Sequence, residues 1–425
     1  MTVAVFLFSL LGAMALGMPI AFALVVCGAC MMLFMGNFDS QIIAQNMING
    51  ADSFSLMAIP FFMLSGQLME AGGISKRIVD FAASIVGHFR GGLGYVAVFA
   101  AIILASVSGS AIADTAALAS LLLPLMKQYG YNPERSGGLI ASAGIIAPML
   151  PPSLAFIVFG VTANLSITKL FMAGVVPGLM MGIALVFTWW MVCRRENLPV
   201  RKRATMREVW VAFRRATWAL LMPIIIVGGL KFGIFTPAET GAVVAFVALV
   251  VGMFVYRELK PSMLYGIALR AAKSTAVIMF LVAAALVSSW LITVADVASD
   301  VVTLLQPLLG SKLLLMLAIT VLVIAVGTAM DLVPTVLILT PILMPLILKA
   351  GIDPVYFGVV FIMNNAIGLI TPPVGTVLNV VCGTGNLSMD DLMKGVWPFL
   401  VAETIVLFIL VLFPDLVLIP MRFLL

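Results

Sequence analysis

The chain has 425 residues, 63% of them apolar and only 10% charged, with 23 basic and 18 acidic side chains for a formal charge of +5. An ordinary soluble domain carries about 25% charged residues, so this composition excludes a water-soluble enzyme. At about 20 apolar residues per crossing of a bilayer core of about 30 Å, the chain supplies up to about thirteen spans, which predicts an all-α polytopic membrane protein. Its charges sit in short clusters between apolar runs rather than along one face, so nucleic acid is not an expected partner.

In chain order, Met1 to Leu11 is apolar, with no basic stretch and no A-x-A cleavage site, and is expected to be a retained first helix rather than a removed signal peptide. Cys27 and Cys30 form a C-x-x-C inside the apolar run Ala21 to Phe34, without the βαβ surroundings of a redox motif. With Cys193 and Cys382 they are too few and too scattered for a disulfide framework, and they are read as packing residues. His88, the single histidine, lies among Gly87, Arg90, Gly91 and Gly92 at a span end and is read as an interface residue. From Arg194 to Arg215 the chain sets Arg194, Arg195, Arg201, Lys202, Arg203, Arg207, Arg214 and Arg215 against Glu196 and Glu208. The positive-inside rule makes this segment cytoplasmic, and a role in binding anionic lipid or a partner protein would place it on the same side. Three regions follow: a first transmembrane repeat over 1–193, a basic linker over 194–215 and a second repeat over 216–425.

The division into repeats rests on self-similarity. A shift of 221 residues pairs Pro124 with Pro345, Gly130 with Gly351, Pro133 with Pro354, Pro151-Pro152 with Pro372-Pro373, and Pro177 with Pro398. After a one-residue gap, Asn164-Leu165-Ser166 matches Asn386-Leu387-Ser388. Internal duplication is a mark of transporters whose two copies enclose a site near the bilayer midplane. Inverted copies are expected, although hydropathy leaves the parallel arrangement open.

Each copy has two interruptions. The first is a polar, small-residue interval, Ser106 to Thr115 in copy one and Gly327 to Thr335 in copy two; the second, about 40 residues on, is Ala147 to Ser153 and Thr371 to Thr376. Tandem prolines remove backbone donors and cannot sit inside an unbroken helix. The freed backbone groups are tolerated at membrane depth only where protein or a watery cavity surrounds them. Broken helices offer carbonyl ends to a cation and amide ends to a carboxylate. Hard oxygen donors are at hand in Ser108, Ser110, Ser153, Thr328, Thr335, Thr371 and Thr376, and in Asp114 and Asp331. No Cys/His cluster with metal-ligand spacing occurs, so a transition metal is not implied.

An aspartate at a membrane centre costs about 3 kcal/mol and usually faces an ion or substrate path. Under the repeat alignment Asp331 falls on Ser110 and Asp114 on Thr335, so each interval holds one carboxylate and one hydroxyl; the competing reading is a helix N-cap. Glu239, after Pro237, is read as a helix-start residue, and Glu403 as lying near an end of the last span. Asn364 and Asn365 precede the second Pro-Pro, and Asn379 and Asn386 follow it; substrate contact and glue between helices are both open for them. The methionines and phenylalanines are read as packing and lipid-facing residues.

Ala58-Ile59-Pro60-Phe61-Phe62-Met63-Leu64-Ser65-Gly66, the Ser106 to Thr115 stretch, Pro151-Pro152-Ser153, Gly233 to Glu239 and Ile370 to Gly375 together resemble the large membrane subunit, the DctM-like permease, of the tripartite ATP-independent periplasmic (TRAP) transporters. The likeness covers essentially the whole chain. It implies a bacterial inner-membrane symport system in which sodium drives organic-acid uptake, a sugar acid such as 2,3-diketo-L-gulonate being suggested, through an elevator movement. Each copy would hold a re-entrant helical hairpin and a discontinuous helix. The implied partners are a small four-helix membrane subunit, expected as a separate chain, and a periplasmic binding protein. Carried onto this chain, the first sodium site would use Ser108, Gly109, Ser110, Pro151, Pro152 and Ser153, and the second Gly327, Thr328, Asp331, Thr371, Pro372 and Gly375. Substrate would lie between them, with Asn364, Asn365, Asn379, Ser153 and Thr376 as candidate contacts and Asp114 as a further functional residue. No covalent cofactor is implied.

Two other classes compete with this reading. An intramembrane aspartyl protease would use Asp114 and Asp331, but the G-x-G-D motif is missing. An ion channel could also be built from re-entrant segments. No Walker A sequence is present, so the chain is not expected to hydrolyse ATP.

Overall fold

The computed structural model describes residues 2–195, 198, 200, 202–295 and 310–424. Glu196, Arg201 and the Arg195 side chain of the basic linker, and 296–309 of the second repeat, lie outside the described residues. Among the described residues every regular element is a helix. α1 (Thr2–Ala15), α2 (Ile20–Phe34) and α3 (Ser40–Ala51) lead into α4 (Ala58–Ala71) and the short amphipathic α5 (Ile74–Val86). A hairpin follows, α6 (Gly92–Ser108) with α7 (Ala111–Gln128), then an interrupted helix, α8 (Pro133–Gly144) with α9 (Leu154–Thr162), and the long α10 (Ile167–Arg195). Next come α11 (Met206–Lys231), α12 (Pro237–Val250) and α13 (Pro261–Val294). The second copy repeats the pattern with hairpin α14 (Lys312–Gly327) and α15 (Leu332–Lys349), interrupted α16 (Pro354–Gly368) and α17 (Thr376–Gly385), and α18 (Met389–Leu412), before α19 (Asp415–Leu424). Among the described residues seven helices are long and apolar enough to cross a bilayer, and α8 and α9, bent by 42° at their break, pass the same test taken together.

The starts of α15 and α16 fall 221 residues after those of α7 and α8, and the starts of α17 and α18 fall 222 after those of α9 and α10. The single extra residue therefore sits in the second break. Matching caps explain the matching starts. Asn132 accepts a bond from Arg135 N at 2.9 Å, and Asp353 from Val355 N and Tyr356 N at 2.9 Å, each just before a proline at the first helical position. Glu239 is a helix-start residue as the sequence indicates, completing a capping box with Thr236. The basic segment is only partly linker, because α10 runs to Arg195 and α11 begins at Met206.

Bonds between helix ends show which way each copy faces. Leu93 N donates to Tyr131 Oη at 3.5 Å, setting the start of α6 level with the residues just past α7, and Lys312 Nζ donates to Gly351 O at 2.7 Å, doing the same for α14 and α15. Both pairs are thus hairpins whose two ends lie on one side. Lys127 Nζ, at the mouth of the first hairpin, donates at 3.1 Å to Gly385 O, the far end of the interrupted helix that starts beside the mouth of the second. The two hairpins therefore open to opposite faces, as inverted copies must. Trp189 Nε1 donates to Gly91 O at 2.8 Å and ties the first mouth to the basic end of α10, the end that the positive-inside rule expects on the cytoplasmic side.

Helices α2, α4, α11, α12 and α13 form a frame along one side. The hairpins, interrupted helices, α10 and α18 form a second body. Within it α8 and α18 approach backbone to backbone: a β-carbon on Gly138 would lie 2.6 Å from Gly395 C, and one on Gly395 would collide with Glu134 O. Close approach at small residues is how helices gain dispersion contact where lipid offers no hydrophobic drive. Glu403 does not lie near a span end. It is fully buried well inside α18, with neither carboxyl oxygen bonded. Gly395→Leu should force α8 and α18 apart and cost about 3 kcal/mol or more, lowering the unfolding temperature of the purified protein. An unchanged melting curve would contradict the close approach.

Candidate functional site

Each hairpin tip is built by a helix end, a turn and a cap. In the first, Gly109 takes a left-handed φ of 64° after α6, and Ser110 caps α7 by accepting from Ala113 N at 3.4 Å. Ser108 Oγ donates to Asp114 Oδ1 at 2.5 Å and accepts from Ser110 N at 3.2 Å. Asp114 is buried one turn into α7, and its Oδ2 has no partner. In the second tip Asp331 is itself the cap of α15, accepting from Leu332 N at 2.9 Å, while Thr335 Oγ1 donates to Asp331 O at 2.8 Å. Ser110 and Asp331, equivalent under the repeat, thus do the same local work. The cap reading holds for Asp331 and not for Asp114.

Each tip docks on the break of its own copy. A β-carbon on Gly109 would collide with Pro152 O, so only glycine, which also suits the left-handed φ, lets tip and break touch. In the second copy Gly327 lies against Gly368, and Val374 N donates to Thr328 O at 3.3 Å. The breaks are where the prolines place them, and both Pro151-Pro152 and Pro372-Pro373 are cis. Ser153 caps α9, accepting from Phe156 N at 3.2 Å and donating to Pro148 O at 2.5 Å, so its hydroxyl spans its own break. In the second break Thr371 Oγ1 donates to Ile367 O at 2.8 Å, and Gly375 starts α17 at φ 50° with no side-chain cap. Thr376 Oγ1 is buried there without a partner.

The asparagines divide. Asn364 Nδ2 donates to Thr320 O at 2.9 Å, fastening α16 to α14, and Asn365 Nδ2 donates to Phe361 O of its own helix at 2.9 Å. Both carboxamide oxygens remain unbonded and buried. Asn379 is exposed, its amide turned back to Val374 O at 2.9 Å.

Two hollows adjoin the tips. A cavity of about 520 Å³ lies between second body and frame, bounded by Gly109 to Ile112 of one tip, Asp331 to Pro334 of the other, Pro148 and Leu369 from the breaks, and residues of α2 and α13. Among the described residues Asp331 is the one charged side chain on its wall, and no basic side chain lines it. A cleft of about 50 Å³, room for a few water molecules or a small ion, opens behind the first tip between α4, α5, α6 and α7. Ser108, Ser110 and Asp114 face it with Gln67 and Glu70 of α4.

Of the residues singled out in the sequence, the structure therefore brings Gly109, Ser110 and Asp331 to the larger cavity, and Ser108, Ser110 and Asp114 to the cleft. Pro151, Pro152, Ser153, Asn364, Asn365, Thr371, Pro372, Gly375, Thr376 and Asn379 line neither hollow and form or brace the breaks behind the tips. Asp114 and Asp331 line different hollows. The sequence reading missed Gln67 and Glu70; two polar residues three apart in an apolar helix were the available signal. It also missed the apolar wall from α2 and α13, for which periodicity has no signal.

Comparison with known proteins agrees with this architecture. Residues 7–416 match the family described as the DctM component of the tripartite ATP-independent periplasmic transporter. The chain is 56% identical over 422 residues, 99% of both chains, to the 2,3-diketo-L-gulonate TRAP transporter large permease protein YiaN of Escherichia coli. It is 36% identical to the sialic acid TRAP transporter large permease protein SiaM of Vibrio cholerae, covering 96% of each. It is 37% identical to the isethionate TRAP transporter permease protein DctMQ of Oleidesulfovibrio alaskensis, covering 96% of this chain and 64% of that one. The crystal structure of the Alcanivorax borkumensis YdaH transporter superimposes with a TM-score of 0.63 over 88% of this chain and 87% of its own, at 14% identity, and so shares the fold. With the inverted hairpins, the paired breaks and these identities together, the chain belongs to the DctM family, the large permeases of TRAP transporters in the bacterial inner membrane.

Proposed function

We propose that this permease imports an organic acid coupled to sodium ions, with the cargo held in the cavity of about 520 Å³ between the two tips. The observation that carries this reading is the cavity's charge. The amide ends of α7 and α15 meet there, and among the described residues its wall bears one carboxylate and no basic side chain. Helix N-termini suit a carboxylate, but a net anion next to Asp331 needs further positive charge, and a cation that travels with it would supply that charge.

Cation places are at hand on either side. Ser108, Gly109, Ser110, Pro151, Pro152 and Ser153 make one oxygen-rich junction of tip and break, and Gly327, Thr328, Asp331, Thr371, Pro372 and Gly375 make the other. Asp114 supplies an unbonded carboxyl oxygen in the cleft behind the first junction. Sodium bound at these places would fasten each tip to its break and complete the cargo site at once, which links the two bindings. The separation of frame from second body, with the cavity on their boundary, supports an elevator movement of that body against the frame. The identity with the Escherichia coli permease supports a sugar acid of the 2,3-diketo-L-gulonate kind as cargo. A small four-helix subunit and a periplasmic binding protein would complete the tripartite assembly.

Asp331→Ala, reconstituted with both partners, should lose at least about tenfold of sodium-driven uptake while inserting normally. Uptake with unchanged sodium dependence would remove Asp331 from the ion site. Replacing Pro372 and Pro373 together by Ala restores two backbone donors and should let α16 run on through the break. Turnover in proteoliposomes should then fall to background, and normal turnover would mean the break does not make the site.

A further inference from the structure

On the cytoplasmic face, away from the cargo cavity, the amphipathic α5 lies against α11. Phe81 holds the two together beneath the surface, with its ring 5.8 Å from that of Phe213 on α11 and 6.5 Å from that of Phe99 on α6. Above this aromatic seam the polar side of α5, the first turns of α11 and the turn after α12 enclose a hollow of about 860 Å³. It shares Arg77, Asp80, Val211 and Arg215 with a second hollow of about 370 Å³, so the two form one continuous groove.

The charges of this groove do not balance. Arg77 is used internally: it pairs with Glu258 at 2.7 Å, donates to Gly73 O at 2.8 Å and stacks over the Tyr256 ring at 3.9 Å. Glu208 is used as well, accepting from Thr205 N at 2.6 Å in the capping box of α11. That leaves Lys76, Arg207, Arg214 and Arg215 facing Asp80, and none of the four cations has a carboxylate partner among the described residues. The groove also has polarity. Arg214 and Arg215 stand at its cytoplasmic rim, whereas Trp218 and Leu221, one to two turns deeper on α11, form an apolar wall with Val255. Trp210 and Trp218 are both well exposed, as tryptophans at a membrane interface are.

We propose that this groove binds the headgroup of an anionic phospholipid of the cytoplasmic leaflet, its phosphate against Lys76, Arg214 and Arg215 and its glycerol and upper chains along Trp218 and Leu221. A bare phosphate would fill a small part of the volume and leave the apolar wall wet. A zwitterionic lipid would bring an amine to a site already rich in cations. The bound lipid bridges α5, which feeds directly into the first hairpin, to the frame helix α11, and so braces the joint between the two bodies.

The test uses the purified permease assembled with its small subunit. Native mass spectrometry and thermal unfolding are run with phosphatidylglycerol, with phosphatidylcholine and with inorganic phosphate. Phosphatidylglycerol should be retained and should raise the unfolding temperature, while the other two should not. Arg214→Gln with Arg215→Gln should weaken its retention about tenfold to thirtyfold, taking about 1 kcal/mol for each basic side chain at a membrane surface. Lys76→Gln, a milder change on the other wall, should weaken it severalfold, and Lys202→Gln outside the groove should not. Equal retention of the two lipids, or undiminished phosphatidylglycerol retention in the groove variants, overturns the proposal. Stabilisation by inorganic phosphate alone overturns it in favour of a soluble anion. Groove arginines shielded by the small subunit in lipid-free protein overturn it in favour of a protein contact.

Discussion

Inside a hydrocarbon slab a backbone amide or carbonyl has no solvent to turn to, so a helix can stop there only if other protein atoms take over its unpaired groups. This protein stops helices at membrane depth four times, at two hairpin tips and two breaks, and places each stop against another. Gly109 on Pro152, Gly327 on Gly368 and the bond from Val374 N to Thr328 O show the tips and breaks meeting in pairs. Hydroxyls close part of the remainder: Ser153 reaches Pro148 O, Thr371 reaches Ile367 O and Thr335 reaches Asp331 O. Oxygens left over on Asp114, Asn364, Asn365 and Thr376 lie at or beside these junctions, while those of Thr275, Thr340 and Glu403 lie elsewhere in the bundle.

Inversion brings the two tips to one cavity. Because the hairpins open to opposite faces, their tips point toward each other, and the amide ends of α7 and α15 reach one cavity from two sides. A parallel duplication would have put both mouths on the same face and left the tips abreast. Polar atoms concentrate at the tips, while α2 and α13 contribute an apolar wall.

The asparagines show where local reasoning runs out. From the sequence, Asn364, Asn365 and Asn379 looked alike, polar residues near a double proline. In the fold Asn364 fastens α16 to α14, Asn365 turns to its own helix, and Asn379 ties down the loop it follows from an exposed position. Glu403 differs in the same way: a glutamate near the last span proves to be sealed within α18. No propensity or periodicity distinguishes these outcomes, because each depends on which helix face meets which neighbour.

What the sequence by itself determined is what short-range chemistry controls. Apolar runs set the spans, prolines and left-handed glycines set the breaks and turns, clustered arginines set the cytoplasmic side, and the 221-residue shift revealed the duplication. The tertiary structure decided everything that joins residues distant along the chain: which tip docks on which break, that Asp331 faces the cavity while Asp114 faces a separate cleft, and that Gln67 and Glu70 belong beside it. The physical reason is that capping, breaking and membrane insertion act over one or two helical turns. The enclosure of a cavity depends on contacts between helices tens to hundreds of residues apart, and these exist only once the two copies have packed.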